Sequence, residues 1–180
     1  MPSELFESVK IPKERIGVLI GSRGKAKRKL EKLTETVVEV NSSQGVVDIE
    51  GKGNSANFHD AINVVKAIGR GFSPENAFGL LGEEMLLDII KIQDIVGGGE
   101  KTLHTKKARV IGTKGLAREQ IEKATGAKIS IFGKTVSIIG NHEEVELARE
   151  AVEMLLMGAK HEKVLGHLRK RQAEKERFTI

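Results

Sequence analysis

The chain has 180 residues, with 30 lysines and arginines against 25 acids, a formal net charge of +5, and no cysteine, tryptophan or tyrosine. The absence of cysteine excludes disulfides, thiolate nucleophiles and cysteine-based zinc sites. The length fits one large domain or two small ones with aliphatic cores. No N-terminal apolar run is typical of a signal peptide and no stretch is long enough to span a bilayer, so we expect a cytoplasmic protein without membrane contact.

The positive charge is concentrated in two short segments. Residues 21–30 carry five lysines or arginines, residues 101–118 carry six, and neither segment contains an acid. Residues 70–100, in contrast, carry six acids and two basic residues. Two basic segments without compensating acids favour a polyanionic partner over ordinary solvated charges.

The first half of the chain reads as an ordered series of short elements. Residues 6–10 predict a strand, and an apolar stripe at helical spacing then ends at Gly21. A second helical stripe follows Gly24, and alternating Val and Ile residues within 38–49 predict a hairpin. A longer helical pattern completes the series near residue 70.

The second half repeats this series after a connector. Ser73 followed by proline and glutamate predicts a short helix within residues 71–84. Leu86 to Val96 is expected to form one buried strand, with Gly97 to Gly99 as a hinge after it. The predicted segments are a first domain at 1–70, a connector at 71–84, a second domain at 85–158 and a basic C-terminal helix or tail at 159–180.

The most informative feature is a GxxG motif that occurs twice, at Gly21–Gly24 and Gly112–Gly115. Because the flanking helical patterns and the following hairpins also recur, we interpret the chain as a duplicated domain. Glycine at both ends permits positive φ and lets the backbone of a ligand approach closely. A helix starts at each loop, so its free N–H groups and dipole favour a bound phosphate.

The residue types in and around the loops predict a particular fold. Each loop offers a hydroxyl and a cation, and a GxxG loop between two helices is the KH arrangement that clamps about four nucleotides. RRM and OB-type surfaces, which stack bases on aromatic rings, are disfavoured because only six phenylalanines are present. We therefore predict an α+β protein with two tandem type I KH domains (β-α-α-β-β-α). Each is expected to be a three-stranded antiparallel sheet packed on three helices, with a basic helix at the C-terminus.

The predicted RNA-binding residues comprise the loops, nearby basic side chains and an aliphatic floor for the bases. In the second copy they are Gly112, Thr113, Lys114, Gly115, Lys107, Arg109, Val110, Ile111, Arg118, Ile129, Ser130 and Ile131. In the first copy they are Gly21, Ser22, Arg23, Gly24, Lys25, Lys27 and Arg28, over a floor of Ile16, Val18 and Val38. No catalytic residue, metal site or cofactor is predicted.

Three stretches carry a more specific resemblance: residues 68–75 (IGRGFSPE), 133–140 (GKTVSIIG) and 153–159 (EMLLMGA). With them the chain resembles, nearly end to end, the archaeal two-KH ribosome-assembly factors of the Partner-of-Nob-One family, which are related to the Krr-type KH proteins. The resemblance implies a factor that binds single-stranded precursor rRNA near the 3′ end of the small-subunit rRNA and assists its processing, alongside a PIN-domain endonuclease. We further expect a monomer, with the translation initiation machinery as a further candidate partner.

The resemblance assigns the two loops unequal roles. The second loop matches the RNA-binding GxxG of the family, whereas the first is often degenerate in eukaryotic relatives although it is intact here. Whether the first copy binds RNA or protein is left open, and Arg23 and Lys27 are expected to matter less. Leu116 and Ala117 depart from the more basic, Thr-containing helix start of the family, which leaves Lys114 and the backbone amides more of the phosphate contact.

Two other classes of function compete with RNA binding. Gly97 to Thr102 superficially resembles a nucleotide-binding loop, but Glu100 breaks the spacing of a P-loop. The five histidines are scattered, and no catalytic set emerges, so an enzyme is not expected. The alternative is a protein-interaction adaptor in ribosome assembly or translation initiation that uses its KH folds mainly as scaffold.

Overall fold

A computed structural model describes residues 5–178, which fall into two compact units that divide between Met85 and Leu86. In chain order the first unit contains β1 (Leu5–Lys10), α1 (Lys13–Ile20), α2 (Lys25–Thr34), β2 (Thr36–Asn41), β3 (Val46–Gly51), α3 (Ser55–Gly69) and α4 (Pro74–Phe78). The second contains β4 (Leu86–Lys91), α5 (Ile92–Val96), α6 (Glu100–Ile111), α7 (Leu116–Thr125), β5 (Lys128–Phe132), β6 (Thr135–Gly140), α8 (His142–Leu156) and α9 (His161–Phe178).

Each unit is built on a three-stranded antiparallel sheet. The strand order is β1-β3-β2 in the first unit and β4-β6-β5 in the second, so the last strand of each unit is central. Leu5 pairs with Gly51, and Leu86 pairs with Gly140 in the corresponding position. This architecture confirms the predicted α+β class, with the order β-α-α-β-β-α in both units and α5 inserted in the second.

The helices of each unit pack on one face of its sheet, where alternate strand residues are apolar. Ile49 on β3 and Ile138 on β6 are completely buried at the centres of the two cores. Polar residues fix where the long helices begin. The Asn54 side chain accepts hydrogen bonds from the backbone N–H groups of Ala56 and Asn57, and Asn141 forms a capping box with Glu144.

One predicted element is wrong. Leu86 to Val96 is not a single strand, because the chain leaves the sheet after Lys91 and α5 follows. The backbone N–H of Ile92 donates to Lys134 in the hairpin turn, at 3.1 Å, and ends the pairing. Ile92, Ile95 and Val96 have helical spacing, and all three pack on the core of the second unit.

This correction shows an insertion in the second copy. Equivalent sheet positions, Leu5 and Leu86, are 81 residues apart, whereas the loop glycines Gly21 and Gly112 are 91 apart. The second copy thus has ten additional residues between its first strand and its loop. Residues 92–103, which comprise α5, the three glycines and the first four residues of α6, take the place of residues 11 and 12 of the first copy.

The basic C-terminal helix is a packed part of the second unit. Val164 and Leu168 of α9 are buried in its core, and Glu150 of α8 binds both His167 and Arg171. Between residues 5 and 178, no helix combines the length and the apolar character of a membrane span.

Candidate nucleic-acid interface

The two GxxG loops have the same backbone conformation. Gly21 has φ 73° and ψ 175°, and Gly112 has φ 72° and ψ 177°. The third residue of each loop, Arg23 or Lys114, also has positive φ, at 52° and 53°. A conformation that L-residues rarely adopt is thus reproduced in both copies, although their middle residues differ.

The first glycine of each loop is required by space as well as by φ. A Cβ atom on Gly112 would lie 2.5 Å from the Cβ of Ala117 and 2.7 Å from its backbone nitrogen. On Gly21 it would lie 2.8 Å and 2.9 Å from the same atoms of Ala26. Each loop therefore folds tightly over the first turn of the helix that follows, which a side chain would prevent.

This folding leaves a positive, accessible corner at the start of a helix. Ser22, Arg23, Thr113 and Lys114 are all exposed. Within the described residues, no side chain caps the N-terminus of α2 or α7. The positive end of each helix dipole therefore faces solvent beside a cation and a hydroxyl, an arrangement that suits a phosphate group.

The predicted cations of the first copy have different surroundings. Lys25 is exposed beside the loop. Arg28 folds back, and its Nη2 donates to the Arg23 carbonyl at 2.6 Å, so this side chain braces the loop. The Nζ of Lys27 lies 2.9 Å from Oε1 of Glu31, which removes much of its charge from any ligand.

The cations of the second copy are sparser. Lys114 is exposed in the loop, and Lys107 is half-buried on α6. Arg118 is half-buried on α7, with its guanidinium 3.8 Å from the Glu119 carboxylate. Lys114 and the helix N-terminus therefore carry most of the positive potential of this loop.

The prediction for Arg109 requires a correction, because its guanidinium binds carbonyl groups of the chain itself. Its Nε donates to the carbonyl of Leu155 at 3.3 Å, and its Nη2 donates to those of Gly158 and Ala159 at 3.2 and 2.6 Å. The guanidinium is therefore bound to the C-terminal end of α8. The sequence did not indicate this structural role, because Arg109 lies within a segment rich in basic residues.

Parts of the predicted aliphatic floor are also corrected. Val110 and Ile129 are 0% and 2% exposed, and Ile16 and Val38 of the first copy are buried as well. These residues form the cores beneath the loops and cannot contact RNA bases. Only Val18, Ile111 and Ile131 among the proposed apolar residues are half-exposed.

Ser130 lies apart from its predicted companions. It pairs with Ser137 across the hairpin, whereas Ile131 pairs with Val136, a core residue. Since successive strand residues point to opposite faces, the Ser130 side chain lies on the sheet face away from the helices. Ile131 lies on the helical side of the sheet, the side on which α6, the loop from Gly112 to Gly115 and α7 are found.

The sequence interpretation missed a pair of glutamates that hold each loop helix to the sheet. Oε1 of Glu31 accepts from the backbone N–H of Val38 at 2.9 Å, and Oε1 of Glu122 accepts from that of Ile129 at 2.7 Å. These residues recur at the same spacing of 91 as the loop glycines. This recurrence could have revealed their role in the sequence. Glutamates are usually exposed, however, and so these two look like ordinary surface residues.

A second missed residue is Arg15. Its Nε donates to the carbonyl of Ile68 at 2.7 Å, and its Nη2 donates to that of Phe72 at 2.6 Å. Burial lowers the pKa of the Arg15 guanidinium from its ordinary value, and the nearby Glu14 carboxylate partly opposes this. The group remains charged at neutral pH because arginine starts from a very high pKa.

Across residues 5–178, His, Cys, Asp and Glu side chains nowhere form a group of three or more that could hold a metal ion. At both loops the exposed groups are a helix N-terminus, a cation and a hydroxyl, and the two loops have the same backbone conformation.

Two family models match this architecture. One described as a KH domain matches residues 6–67, and one described as a eukaryotic type KH-domain, KH-domain type I, matches residues 86–173. The second match extends into α9, in agreement with the packing of that helix.

Two named proteins resemble most of the chain. A KH domain-containing protein of Methanocaldococcus jannaschii is 43% identical over 180 residues, covering 97% of this chain and 78% of that protein. The pre-rRNA-processing protein PNO1 of Candida albicans is 30% identical over 143 residues, covering 76% of this chain and 48% of that protein. The chain thus spans about half the length of the PNO1 proteins it matches.

A solved structure gives a close match in three dimensions. It is a complex of a/eIF2alpha, aDim2p and rRNA from Pyrococcus horikoshii OT3, and the similar chain is 42% identical with a TM-score of 0.90. The alignment covers 96% of both chains. The sequence, the duplicated loops and these matches together show that the chain belongs to the Dim2/PNO1 family of proteins with two KH domains.

Proposed function

We propose that this protein is a ribosome biogenesis factor that binds single-stranded precursor rRNA near the 3′ end of the small-subunit rRNA and assists its processing. Similar proteins are named for pre-rRNA processing, and a similar chain occurs in a complex with rRNA. The observation that carries the proposal is the pair of loops with one conformation, each presenting an uncapped helix N-terminus beside an exposed hydroxyl and cation.

Binding of this kind depends on charge and on shape. The phosphate backbone contacts Gly112 to Gly115, with Lys114 and the N-terminus of α7 opposite its negative charge. The half-exposed Ile111 and Ile131 offer apolar surface to the bases. In the first copy, Ser22, Arg23 and Lys25 form the corresponding contact around Gly21 and Gly24.

The proposed partners follow from the same comparison. We propose single-stranded RNA as the direct ligand and a PIN-domain rRNA endonuclease as the enzyme that cuts the bound precursor. The complex that contains a/eIF2alpha supports a link to the translation initiation machinery. The factor acts as a cytoplasmic monomer without catalytic activity or cofactor.

The experiment replaces the two middle residues of the second loop. We expect Thr113→Asp with Lys114→Asp to weaken binding of a fluorescent single-stranded RNA, carrying a small-subunit rRNA 3′-end sequence, by more than about 10-fold. The reason is that two carboxylates replace a hydroxyl and a cation beside the phosphate. Both residues are exposed, so the thermal unfolding midpoint should change little.

The matched variant makes the same change in the first loop, Ser22→Asp with Arg23→Asp. We expect a smaller loss of affinity from it, because the family resemblance assigns the RNA-binding GxxG to the second loop. A larger loss from this variant would show that the first loop, and not the second, makes the main contact with RNA. Unchanged affinity in both variants would refute RNA binding by the loops and leave the adaptor function.

A further inference from the structure

The carbonyl groups that Arg109 binds belong to the junction between two helices. Leu155 is in the last turn of α8, while Gly158 and Ala159 form the connection to α9. A cation at the C-terminal end of a helix is favoured by the helix dipole and satisfies carbonyls that have no partner within the helix. Arg109 thus fixes the point at which α9 leaves α8.

The junction in turn binds the end of α6. His161 is the first residue of α9, and its Nε2 lies 2.8 Å from the carbonyl oxygen of Arg109. A carbonyl oxygen only accepts, so the imidazole donates from Nε2. The Arg109 carbonyl is in the last turn of α6, three residues before Gly112, where helix carbonyls lack intrahelical partners.

A second contact joins α9 to the loop through α7. His161, Val164 and Leu165 of α9 line a small cavity together with Ala117 of α7, which is only 6% exposed. Ala117 is the residue over which Gly112 folds, since a Cβ on Gly112 would meet it at 2.5 Å. A shift of α9 would therefore affect the residues on both sides of the loop.

The first copy contains the same connection made by a different residue. Arg15 on α1 binds the carbonyls of Ile68 and Phe72, at the end of α3 and just before α4. Arg15 is six residues before Gly21, whereas Arg109 is three before Gly112. The two arginines are therefore not equivalent by duplication. They lie about one turn apart on the pre-loop helix and make the same link.

From this geometry we infer that Arg109 and His161 are positioning residues, which couple the docked helix α9 to the conformation of the second RNA-binding loop. Arg109 acts through the backbone of α8 and α9 and does not contact phosphate. When the link is removed, the last turn of α6 loses a carbonyl partner and the loop spends less time in its binding conformation. Apparent affinity falls by the same factor as the population of that conformation.

The inference rests on the proposed function, and the experiment separates the two. The variants are Arg109→Met, Arg109→Lys and His161→Phe, with Lys123→Met as the control for loss of an exposed cation on α7. Affinity for the single-stranded RNA is measured at several salt concentrations. Amide hydrogen exchange of residues 112–116 is measured on the free protein.

We expect each of the three variants to lower affinity by about 5-fold or more and to speed loop exchange by a similar factor. The slope of log affinity against log salt should stay unchanged, because no phosphate contact is lost. Arg109→Lys should not restore the affinity of the unmodified protein, since one ammonium group cannot donate to three carbonyls as the guanidinium does. Lys123→Met should leave loop exchange unchanged.

Two results would overturn the inference. One is restored affinity in Arg109→Lys together with a salt slope reduced by about one in Arg109→Met, which identifies a phosphate contact. The other is unchanged loop exchange in His161→Phe, which decides the matter even if the Arg109 variants do not fold. If the unmodified protein binds no RNA, the proposed function fails, whereas loop exchange still tests the link.

Discussion

The substitution Gly112→Ala tests whether the second loop has the conformation that its proposed RNA-binding role requires. With φ 72° and ψ 177°, Gly112 lies in a region that is essentially restricted to glycine and costs another residue about 1–3 kcal/mol. The added Cβ would also meet the Cβ and backbone nitrogen of Ala117 at 2.5 and 2.7 Å. Because one of these atoms is backbone, relief requires the start of α7 to move, at about 1–3 kcal/mol.

Together these effects predict a loss of about 2–6 kcal/mol in the free energy of unfolding, a large fraction of the roughly 5–15 kcal/mol typical of a domain. Gly115→Ala is the matched control in the same loop. Gly115 also has positive φ, at 77°, but the nearest atom to its added Cβ is Nη2 of Arg118 at 3.9 Å. We expect a loss of only about 1 kcal/mol there.

The assay is urea unfolding of the full chain, followed by circular dichroism. Gly21→Ala should behave like Gly112→Ala, because its Cβ would lie 2.8 Å from that of Ala26. Equal losses for Gly112→Ala and Gly115→Ala would refute the steric argument. A stable Gly112→Ala protein would show that the loop does not need this backbone conformation.

Two further predictions concern stability. Burial raises the pKa of the Asp60 carboxyl, against a smaller opposing effect of His59, so stability falls as the pH rises through and above the ordinary carboxyl range near about 4. Asp60→Asn should therefore raise the urea midpoint at pH 7 and not at pH 3, and an equal gain at both would contradict this. Asn141→Ala removes the acceptor for the Glu144 N–H at 3.0 Å and should cost about 1 kcal/mol in urea unfolding. The exposed neighbour variant His142→Ala should cost much less, and equal losses would argue against the cap.

Much of the fold was predictable because its signals are local. Alternating Val and Ile residues indicated the hairpins, and the cap at Ser73 indicated the connector helix. The strand predicted at Leu86–Val96 was wrong because a short apolar run fits both strand and helix until its neighbours are known. The ten-residue insertion was not predicted for the same reason.

The sequence by itself determined the two loops, since paired glycines at a fixed spacing between helical patterns indicate a tight turn that only glycine can form. Tertiary structure decided which nearby side chains face a ligand. Arg109 and Lys107 are basic residues of the same segment in the sequence. In the structure Arg109 binds carbonyls at the end of α8, and Lys107 takes no part in that contact. The reason is that a guanidinium donates to carbonyls that the fold places beside it, and these carbonyls lie about 50 residues away along the chain.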